Sequence, residues 1–510
     1  MHPSIYAARS PEKIAYVMAD TGAEFSYGEL ERRSNQLAHL WRSIGCQRGD
    51  TIALLLENNE WFLPICWSAQ RSGLYFTCIS PSLAPADIAY ILSDSTARTV
   101  IGSHATRASL EAGLGDRSDV TVFLIDADLE GDPRCLLSVV GRQPDTPIPD
   151  ESAGLDMLYS SGTTGRPKGI RRALPEGLPG EAPSPGLAIG QKHYLMDERT
   201  VYLSPAPLYH SGPLRWSMVV QRLGGTVVIM SRFDAEHALQ LIEKYRVTSS
   251  QWVPTHFVKF LQLPEAKRTK YALDSMRSAF HAAAPCPVPV KEAMMAWWGP
   301  IVHEFYGGTE NNGLTLISPE EWLSHRGSVG RAVVGKLRIC DDDGNELPPR
   351  SEGTVYFSDG PTFTYHNDAE KTASTFNRHG WSTLGDVGWV DEDGYLYLTD
   401  RKSFMIISGG VNIYPQEIEN ALILHPQIAD VAVIGAPDDV MGERVVAVVQ
   451  ARDGVTVSTE LGEEIRSFAR EQLGSVKAPK QIDFRETLPR EANGKLYKRL
   501  LRDEYWKKAG

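Results

Sequence analysis

Short apolar stretches alternate with segments of helical periodicity over most of the chain. Near the start, residues 27–44 carry apolar side chains at helical spacing, and residues 51–56 (TIALLL) then form a short apolar stretch. The other stretches with one of these two patterns are 59–72 and 235–245 for helices, and 99–102, 120–125, 155–158 and 226–230 for strands. Short apolar strands between amphipathic helices predict stacked βαβ units with mostly parallel sheets, which is an α/β fold.

The size and charge of the chain narrow the choice of partners. With 510 residues, the chain exceeds the ~250–300 residues that one hydrophobic core supports, so we expect three or four folding units. The 52 Lys and Arg residues against 64 Asp and Glu give a net charge of −12. That balance argues against nucleic acid and against a basic membrane surface as partners. A small anionic ligand needs only a local positive patch, so it remains compatible.

Cysteine usage and hydropathy bear on the compartment. None of the six cysteines forms a CxxC pair, so the sequence predicts neither a disulfide scaffold nor a zinc site. The first residues show no basic stretch followed by an apolar run, and no run of about 18 apolar residues occurs. We therefore expect reduced thiols, no signal peptide, no transmembrane segment and a cytoplasmic location.

Two segments interrupt the alternation. Residues 174–186 (LPEGLPGEAPSPG) are too rich in Pro and Gly to continue a helix or central strand, which predicts a loop. Both a plain surface loop and a mobile flap beside a site fit this composition. After Ser403 the chain starts a fresh pattern, with a strand over 404–408, Gly409-Gly410 and a helix over 415–424. The sequence thus predicts a large domain over 1–402 and a small one over 403–510.

The most informative segment is YSSGTTGRPKG at 159–169. Its glycines let the backbone turn sharply and bring N–H groups close to an anion, and its hydroxyls can donate to phosphate oxygens. A lysine adds a compact positive charge, and the Walker ending Gly-Lys-Ser/Thr is absent. The candidate phosphate-binding residues are Ser160, Ser161, Gly162, Thr163, Thr164, Gly165 and Lys168.

At this point the chain resembles the adenylate-forming superfamily, which contains acyl-CoA synthetases, firefly-type luciferases and nonribosomal peptide adenylation domains. The phosphate loop above is the first motif of that resemblance. Others follow in order over essentially the whole chain: YGGTE at 306–310, STLGD at 382–386, Asp400-Arg401, ISGGVNIYP at 407–415, and LPR at 488–490 through Gly494-Lys495.

The resemblance implies both a fold and a reaction. The fold is a large N-terminal domain of stacked βαβ-type subdomains joined by a hinge to a small α+β C-terminal domain. The reaction converts a carboxylic acid and ATP to acyl-AMP and pyrophosphate, and then transfers the acyl group to a thiol. ATP, Mg²⁺ and CoA are the implied cofactors and cosubstrates.

The resemblance also implies roles for the motif residues. Tyr306 would stack on adenine, Thr309 would bind the α-phosphate, and Glu310 would ligate Mg²⁺. Gly307 belongs to the same nucleotide motif. Asp386 would accept hydrogen bonds from the ribose hydroxyls, and Arg401 would add a ribose or phosphate contact.

The catalytic and thiol-binding residues come from several motifs. Lys495 would bridge the attacking carboxylate and the α-phosphate, and His210 would gate the acyl tunnel, although a lone histidine is also compatible with a structural role. Ser403 occupies the hinge position, where many relatives carry Asp or Lys. The loop around the CoA pantetheine arm would be formed by Ser408, Gly409 and Gly410.

The acid-binding walls are apolar and contain small residues. Within them we expect the acyl pocket to be lined by Trp216, Trp252, Phe257 and Ala283. No acidic residue is placed to pair with the ammonium of an amino acid, which favours a CoA ligase for a hydrophobic monocarboxylic acid. Fatty, aryl and polycyclic acids all fit. The rival readings are an adenylating enzyme that loads a carrier protein and a nucleotide-binding regulator without chemistry, and a homodimer is compatible with each.

Overall fold

The computed structural model describes residues 1–125, 134–160, 166–181, 184–490 and 496–507. It is a mixed α/β structure with three large sheets before residue 402 and one after it. This confirms the predicted fold class of a large N-terminal domain and a small C-terminal domain. Among the described residues, none of the helices combines the length and apolar character needed to cross a bilayer.

The first third of the chain builds a five-stranded parallel sheet in the order β6-β5-β3-β4-β7. Its strands are continuously apolar because helices pack on both faces, and the large side chains Trp41 and Trp67 are fully buried there. The elements of this part are α1 (Ser4–Arg9), β1 (Ile14–Met18), β2 (Glu24–Ser26), α2 (Tyr27–Ser43), β3 (Thr51–Leu54), α3 (Phe62–Arg71), β4 (Tyr75–Cys78), α4 (Pro85–Asp94), β5 (Ala97–Gly102), α5 (Arg107–Leu114), β6 (Thr121–Leu124), α6 (Leu136–Val140) and β7 (Leu155–Asp156).

The middle of the chain builds a nine-stranded sheet, with β1 and β2 added at one edge. The order is β16-β15-β14-β13-β12-β10-β11-β1-β2; the six strands from β14 to β1 are parallel, and both edges are antiparallel. The elements are β8 (Tyr159–Ser160), β9 (Lys168–Arg171), α7 (Pro185–His193), β10 (Val201–Ser204), α8 (Ser211–Arg222), β11 (Thr226–Ile229), α9 (Ala235–Tyr245), β12 (Ser249–Trp252), α10 (Pro254–Gln262), α11 (Glu265–Arg268), β13 (Ser278–His281), α12 (Val288–Trp298), β14 (Val302–Gly307), β15 (Leu314–Ile317), α13 (Pro319–Ser324) and β16 (Arg331–Val334).

A third sheet follows and is wholly antiparallel, in the order β17-β18-β20-β21. A small sheet, β19-β9-β8, attaches this region to the phosphate-loop segment. The expectation of mostly parallel sheets therefore holds for the two earlier sheets and fails here. The elements are β17 (Lys336–Cys340), β18 (Gly353–Ser358), β19 (Thr364–Tyr365), α14 (Ala369–Thr375), β20 (Ser382–Val390) and β21 (Leu396–Arg401).

The C-terminal portion begins with a 3₁₀ turn, Lys402–Phe404, and has its own sheet in the order β23-β22-β25-β24, with β26 parallel to β25. Both faces of this sheet are covered: α15 and α16 pack on one, and α17 packs on the other. The elements are β22 (Ile406–Ser408), β23 (Val411–Ile413), α15 (Pro415–Leu422), β24 (Ile428–Asp438), β25 (Gly442–Ala451), α16 (Thr459–Lys477), β26 (Gln481–Phe484) and α17 (Lys498–Lys507).

The predicted helices and strands are present, but some boundaries move. The helix expected from residue 59 begins at Phe62, because Asn59 forms a turn in which its side chain accepts a hydrogen bond from the N–H of Trp61. The strand expected over 404–408 begins at Ile406, after the 3₁₀ turn. The loop expected over 174–186 ends two residues early, where Pro185 starts α7. The domain boundary at 402/403 stays a prediction.

Candidate active site

A cavity of about 1580 Å³ lies where the N-terminal sheets meet the C-terminal portion. It brings together motifs that are far apart in sequence. The predicted nucleotide-binding, metal-binding, gating and hinge residues that border it are Ser160, Lys168, His210, Tyr306, Gly307, Thr309, Glu310, Asp386, Arg401 and Ser403.

The phosphate-loop segment is a hairpin whose two ends are paired in register. Ser160 on β8 lies opposite Lys168 on β9. Tyr159 donates its hydroxyl to Asp94, 2.6 Å away, which fixes the first strand to α4. Burial lowers the pKa of Lys168, and the neighbouring Lys371 lowers it further. The predicted residues Ser161, Gly162, Thr163, Thr164 and Gly165 lie outside the described residues.

Tyr306, Asp386 and Arg401 form one hydrogen-bonded chain. The Tyr306 hydroxyl donates to Oδ2 of Asp386 at 2.7 Å, and Nε of Arg401 donates to Oδ1 at 3.1 Å. Burial raises the pKa of Tyr306, and the adjacent Asp386 carboxylate raises it further. The same carboxylate raises the pKa of Arg401. The phenol is therefore neutral, the guanidinium is charged, and Asp386 is held in a fixed orientation beside the cavity.

Glu310 is a buried carboxylate next to the phosphate-loop hairpin. It accepts a hydrogen bond from the Tyr365 hydroxyl at 2.9 Å, and Nζ of Lys168 lies 5.6 Å from the centre of the Tyr365 ring. In the described ranges, no group of three His, Cys, Asp or Glu side chains could hold a metal ion. A lone carboxylate fits Mg²⁺, which takes one or two protein carboxylates and completes its shell with water and substrate phosphates.

A charge cluster around the buried carboxylate of Asp156, not predicted from the sequence, supports Thr309. Arg215 donates through Nη2 to Asp156 at 2.7 Å and to the Thr309 carbonyl at 3.1 Å. Arg172 donates to the other Asp156 oxygen at 3.0 Å. Burial acts to raise the pKa of Asp156, but the two guanidinium groups outweigh it and lower the pKa to about 2. An arginine inside the apolar pattern of α8 (SGPLRWSMVVQR) is the sequence signal that could have revealed this cluster.

His210 stands at the entrance to α8 as its N-cap residue. Its ring centre lies 4.5 Å from that of Tyr209, at an interplanar angle of 58°. The next residue, Ser211, lies with its hydroxyl 3.1 Å from that of Thr309. His210 therefore borders the cavity beside the nucleotide motif, and its role as a gate stays a prediction.

The structure brings three of the four expected acyl-pocket residues to the cavity. Trp216, Trp252 and Ala283 border it, and Ala283 has a backbone φ of +76° that places it in a left-handed conformation. Phe257 does not border the cavity. It is fully buried in the core, with its ring 5.2 Å from that of His281, because α10 turns this face toward the interior. The structure therefore does not bring Phe257 to the cavity.

The loop that carries Lys495 is closed at its base. Arg490 and Leu496 form an antiparallel bridge, and Nη2 of Arg490 donates to Asp430 at 2.6 Å. Both ends of the loop border the cavity. Lys495 itself lies outside the described residues. Next to the loop, the nearly buried Lys498 forms a 2.9 Å ion pair with Glu419.

The glycine loop faces elsewhere. Gly409 and Gly410 turn the β22–β23 hairpin with φ of +57° and +81°, and Ser408 pairs with Val411. None of Ser408, Gly409 and Gly410 borders the cavity. Ser403 lies in the 3₁₀ turn between β21 and this hairpin and does border it. The structure thus presents the base of the lysine loop to the cavity and leaves the glycine loop outside.

A hairpin that carries Lys168, a buried carboxylate and apolar side chains border one cavity, which is the arrangement expected of an ATP-dependent acid-activating enzyme. Comparison with known proteins agrees. The model of the AMP-binding enzyme family matches residues 5–364, and that of the AMP-binding enzyme C-terminal domain matches residues 417–495. The chain belongs to this family and is an AMP-forming acid–CoA ligase that uses ATP, Mg²⁺ and CoA.

Individual relatives cover nearly the whole chain. It is 32% identical to the long-chain-fatty-acid–CoA ligase FadD13 of Mycobacterium tuberculosis over 98% of this chain and 97% of that one. It is 30% identical to the fatty acid–[acyl-carrier-protein] ligase ScoC of Streptomyces coeruleorubidus over 99% and 95%. Among solved structures, ATP-bound MatB from Rhodopseudomonas palustris has a TM-score of 0.82 at 27% identity, with 100% of both chains covered.

Proposed function

We propose that this enzyme activates a hydrophobic carboxylic acid to its acyl-AMP and then transfers the acyl group to CoA. The observation that carries the proposal is the continuity of the cavity. The same space is bordered by Lys168, Glu310 and Asp386, by both ends of the Lys495 loop, and by an apolar extension along α8.

In the first step, a carboxylate oxygen of the acid attacks the α-phosphorus of ATP, and the bond to pyrophosphate breaks. Two anions must meet, so cations and hydrogen-bond donors must surround the reacting atoms. Ser160 and Lys168 bind the departing phosphates, together with the predicted loop residues Ser161, Gly162, Thr163, Thr164 and Gly165. Thr309 binds the α-phosphate, and Lys495 neutralises the charge that develops between acid and phosphate.

The nucleoside and the metal are held by neighbouring residues. Tyr306 and Gly307 contact adenine, Asp386 accepts the ribose hydroxyls, and Arg401 adds a contact to the ribose or phosphate. Glu310 would hold Mg²⁺, which supplies charge neutralisation at the phosphates. The Tyr365 hydroxyl bond to Glu310 leaves the other carboxylate oxygen available as a ligand.

In the second step, the CoA thiolate attacks the acyl carbonyl and AMP leaves. Ser408, Gly409 and Gly410 lie outside the cavity, so we propose a rotation of residues 403–510 about Ser403 that replaces the lysine loop by the glycine loop. Glycine at 409 and 410 leaves space for the pantetheine arm. His210 would gate the passage between the acyl and thiol sites.

The acyl body occupies an apolar extension between α7 and α8, which we call the acyl branch. It is bordered by Pro185, Gly186, Ile189, Trp216, Met218 and Val219. Gly186 allows close helix packing, since a Cβ there would lie 2.9 Å from Val219. Trp252, the last residue of β12, and Ala283, which follows β13, also border the cavity. This lining favours aliphatic or aryl acids.

A carrier protein is the alternative acceptor, and one relative at 30% identity bears the name of an acyl-carrier-protein ligase. We further propose a cytoplasmic location, supported by six cysteines that form no disulfide in the described part of the chain and of which five are buried. A homodimer stays a prediction, which light scattering coupled to gel filtration tests.

The testing experiment measures AMP and pyrophosphate release against fatty, aryl and polycyclic acids, with and without CoA. We expect acid-dependent release and a CoA thioester for at least one aliphatic or aryl acid. Release that is acid-dependent but yields a thioester only with a phosphopantetheinylated carrier would favour the alternative acceptor. No acid-dependent release from any member of the panel would contradict the proposal.

A further inference from the structure

Along α8, the acyl branch leads to an arginine that no carboxylate of the described residues neutralises. Arg222 is the last residue of α8; it is 9% exposed and borders the cavity. Its Nη1 donates to the Met1 carbonyl at 2.7 Å and to the Pro179 carbonyl at 3.4 Å, and the guanidinium lies 5.1 Å from the centre of the Trp67 ring. In the described part of the chain, it forms no ion pair, and neither Nε nor Nη2 donates a hydrogen bond.

A charge in this position is costly without a partner. Burial lowers the pKa of Arg222 to about 10, and no acidic side chain in the described ranges counteracts that effect. Two half-buried arginines that also border the cavity differ, since both Arg172 and Arg215 pair with Asp156. Charges taken out of water are normally paired, and a guanidinium with two free donors matches the two oxygens of a carboxylate.

Helix geometry gives the distance between Arg222 and the reaction centre near Thr309. Arg215, which contacts the Thr309 carbonyl, and Arg222 lie seven residues apart on α8, or about 10 Å along the helix axis. Between them, the helix presents Trp216, Met218 and Val219 to the cavity. Since an extended chain advances ~3.4 Å per three bonds, this spacing matches roughly nine bonds, which is the count from a carboxylate oxygen at one end of an eight-carbon diacid to one at the other end.

We propose that Arg222 forms an anion subsite at the far end of the acyl branch, so that the acid is a dicarboxylic acid with a medium-length apolar spacer. One carboxylate is adenylated near Thr309, and the other is bound by Arg222. This inference rests on the proposed function and specifies its substrate; it replaces the expected monocarboxylic acid by one with a second charge.

The test compares suberate, monomethyl suberate and octanoate by kcat/KM for CoA-thioester formation. The three share an eight-carbon acyl chain and differ at its far end. We expect wild-type enzyme to favour suberate by about 10- to 100-fold over the other two, the range for a charge-assisted hydrogen-bond pair. In Arg222→Met the preference should vanish or reverse, and Arg222→Lys should retain part of it. Arg246→Met, on the exposed surface, is the matched control.

Because Arg222 also holds the Met1 carbonyl, its variants could fail to fold, so a second measurement uses wild type alone. A series from succinate to dodecanedioate, each compared with the monoacid of equal length, should show the largest diacid advantage near eight to ten carbons. Turnover of octanoate equal to or better than suberate, with no length optimum, would overturn the subsite and leave the ligase activity intact. Failure of the whole series while an aryl or polycyclic acid releases AMP would also overturn the subsite, and failure of every acid in both panels would instead overturn the proposed function.

Discussion

The Tyr306 hydroxyl donates to Oδ2 of Asp386 at 2.7 Å, although 80 residues separate them in the chain. This bond joins the nine-stranded sheet to the antiparallel sheet at the edge of the cavity. Asp386 is held on its other oxygen by Arg401, so its carboxylate is oriented before any nucleotide binds. An acceptor fixed in this way binds ribose hydroxyls without a further loss of side-chain entropy.

Asp386→Ala should raise the KM for ATP by about 10- to 100-fold, because hydrogen bonds to a charged group contribute ~1.5–3 kcal/mol. The KM for the acid should change little. Tyr306→Phe, which keeps the ring and leaves Arg401 on the carboxylate, should have a smaller effect. Initial-rate kinetics with each substrate varied in turn measure both constants, and an unchanged ATP KM in Asp386→Ala would refute the ribose assignment.

Lys495→Ala should lower acyl-AMP formation by about 10²- to 10³-fold, the usual effect of losing one donor that stabilises transition-state charge. Thioester formation from supplied acyl-AMP should be spared, because the lysine loop serves only the first step. Lys477→Ala, an exposed lysine of α16 that pairs with Glu417, is the matched control. Equal loss in both half-reactions would contradict the role.

Gly409→Leu should slow thioester formation and leave acyl-AMP formation unchanged, which is the opposite of the effect expected for Lys495→Ala. Gly409 has φ of +57°, and a Cβ would lie 2.3 Å from Cε of Met441, so the substitution fills the turn of the hairpin. Gly454→Leu, also at positive φ but with open space around its Cβ, controls for backbone strain. Single-turnover rates of the two half-reactions test this prediction. An unaltered rate of thioester formation would show that the hairpin does not belong to the thiol site.

Glu310→Gln should raise the Mg²⁺ concentration needed for half-maximal pyrophosphate release, because a neutral amide is a weaker ligand for a hard cation. Excess chelator should stop release by wild-type enzyme. Glu265→Gln, an exposed residue of α11, should leave the Mg²⁺ dependence unchanged. Release that persists in excess chelator would rule out the metal role.

Asp156→Asn should destabilise the enzyme by about 2 kcal/mol at pH 7, since the half-buried guanidinium groups of Arg215 and Arg172 lose their buried carboxylate partner. Chemical denaturation measures the difference in the free energy of unfolding, and Asp274→Asn, in an exposed pair with Arg246, should change it little.

The stability that Asp156 contributes should depend on pH. Its pKa is lowered to about 2, so the contribution is complete above the ordinary aspartate range near pH 4. The gap between wild type and Asp156→Asn should therefore shrink as pH falls from about 4 to 2; a gap independent of pH would argue against the ion pairs as its source.

The parallel sheets could be predicted because their strands are continuous apolar runs, such as TVVI at 226–229, between amphipathic helices. The antiparallel sheet could not be predicted from such a pattern. Its strands, such as KLRIC at 336–340, are only half-buried and mix polar with apolar residues, so neither periodicity stands out.

The order of the motifs along the chain predicts the motif residues. It does not predict the contacts between residues of different motifs. Asp156 and Arg215 form a hydrogen bond although they lie 59 positions apart in the sequence, and no local sequence pattern predicts such a pair. The burial of Phe257 away from the cavity has a related reason: the sequence does not show which face of α10 turns toward the core. The sequence does not predict the buried position of Arg222, because an arginine at a helix end is usually solvent-exposed.

The central claim is that acid activation is a separate first step in this cavity. Isotope exchange between pyrophosphate and ATP in the absence of CoA tests it most directly. We predict exchange that requires both the acid and Mg²⁺ and is lost in Lys495→Ala. Exchange that needs CoA, or release of ADP and phosphate instead of AMP and pyrophosphate, would contradict it.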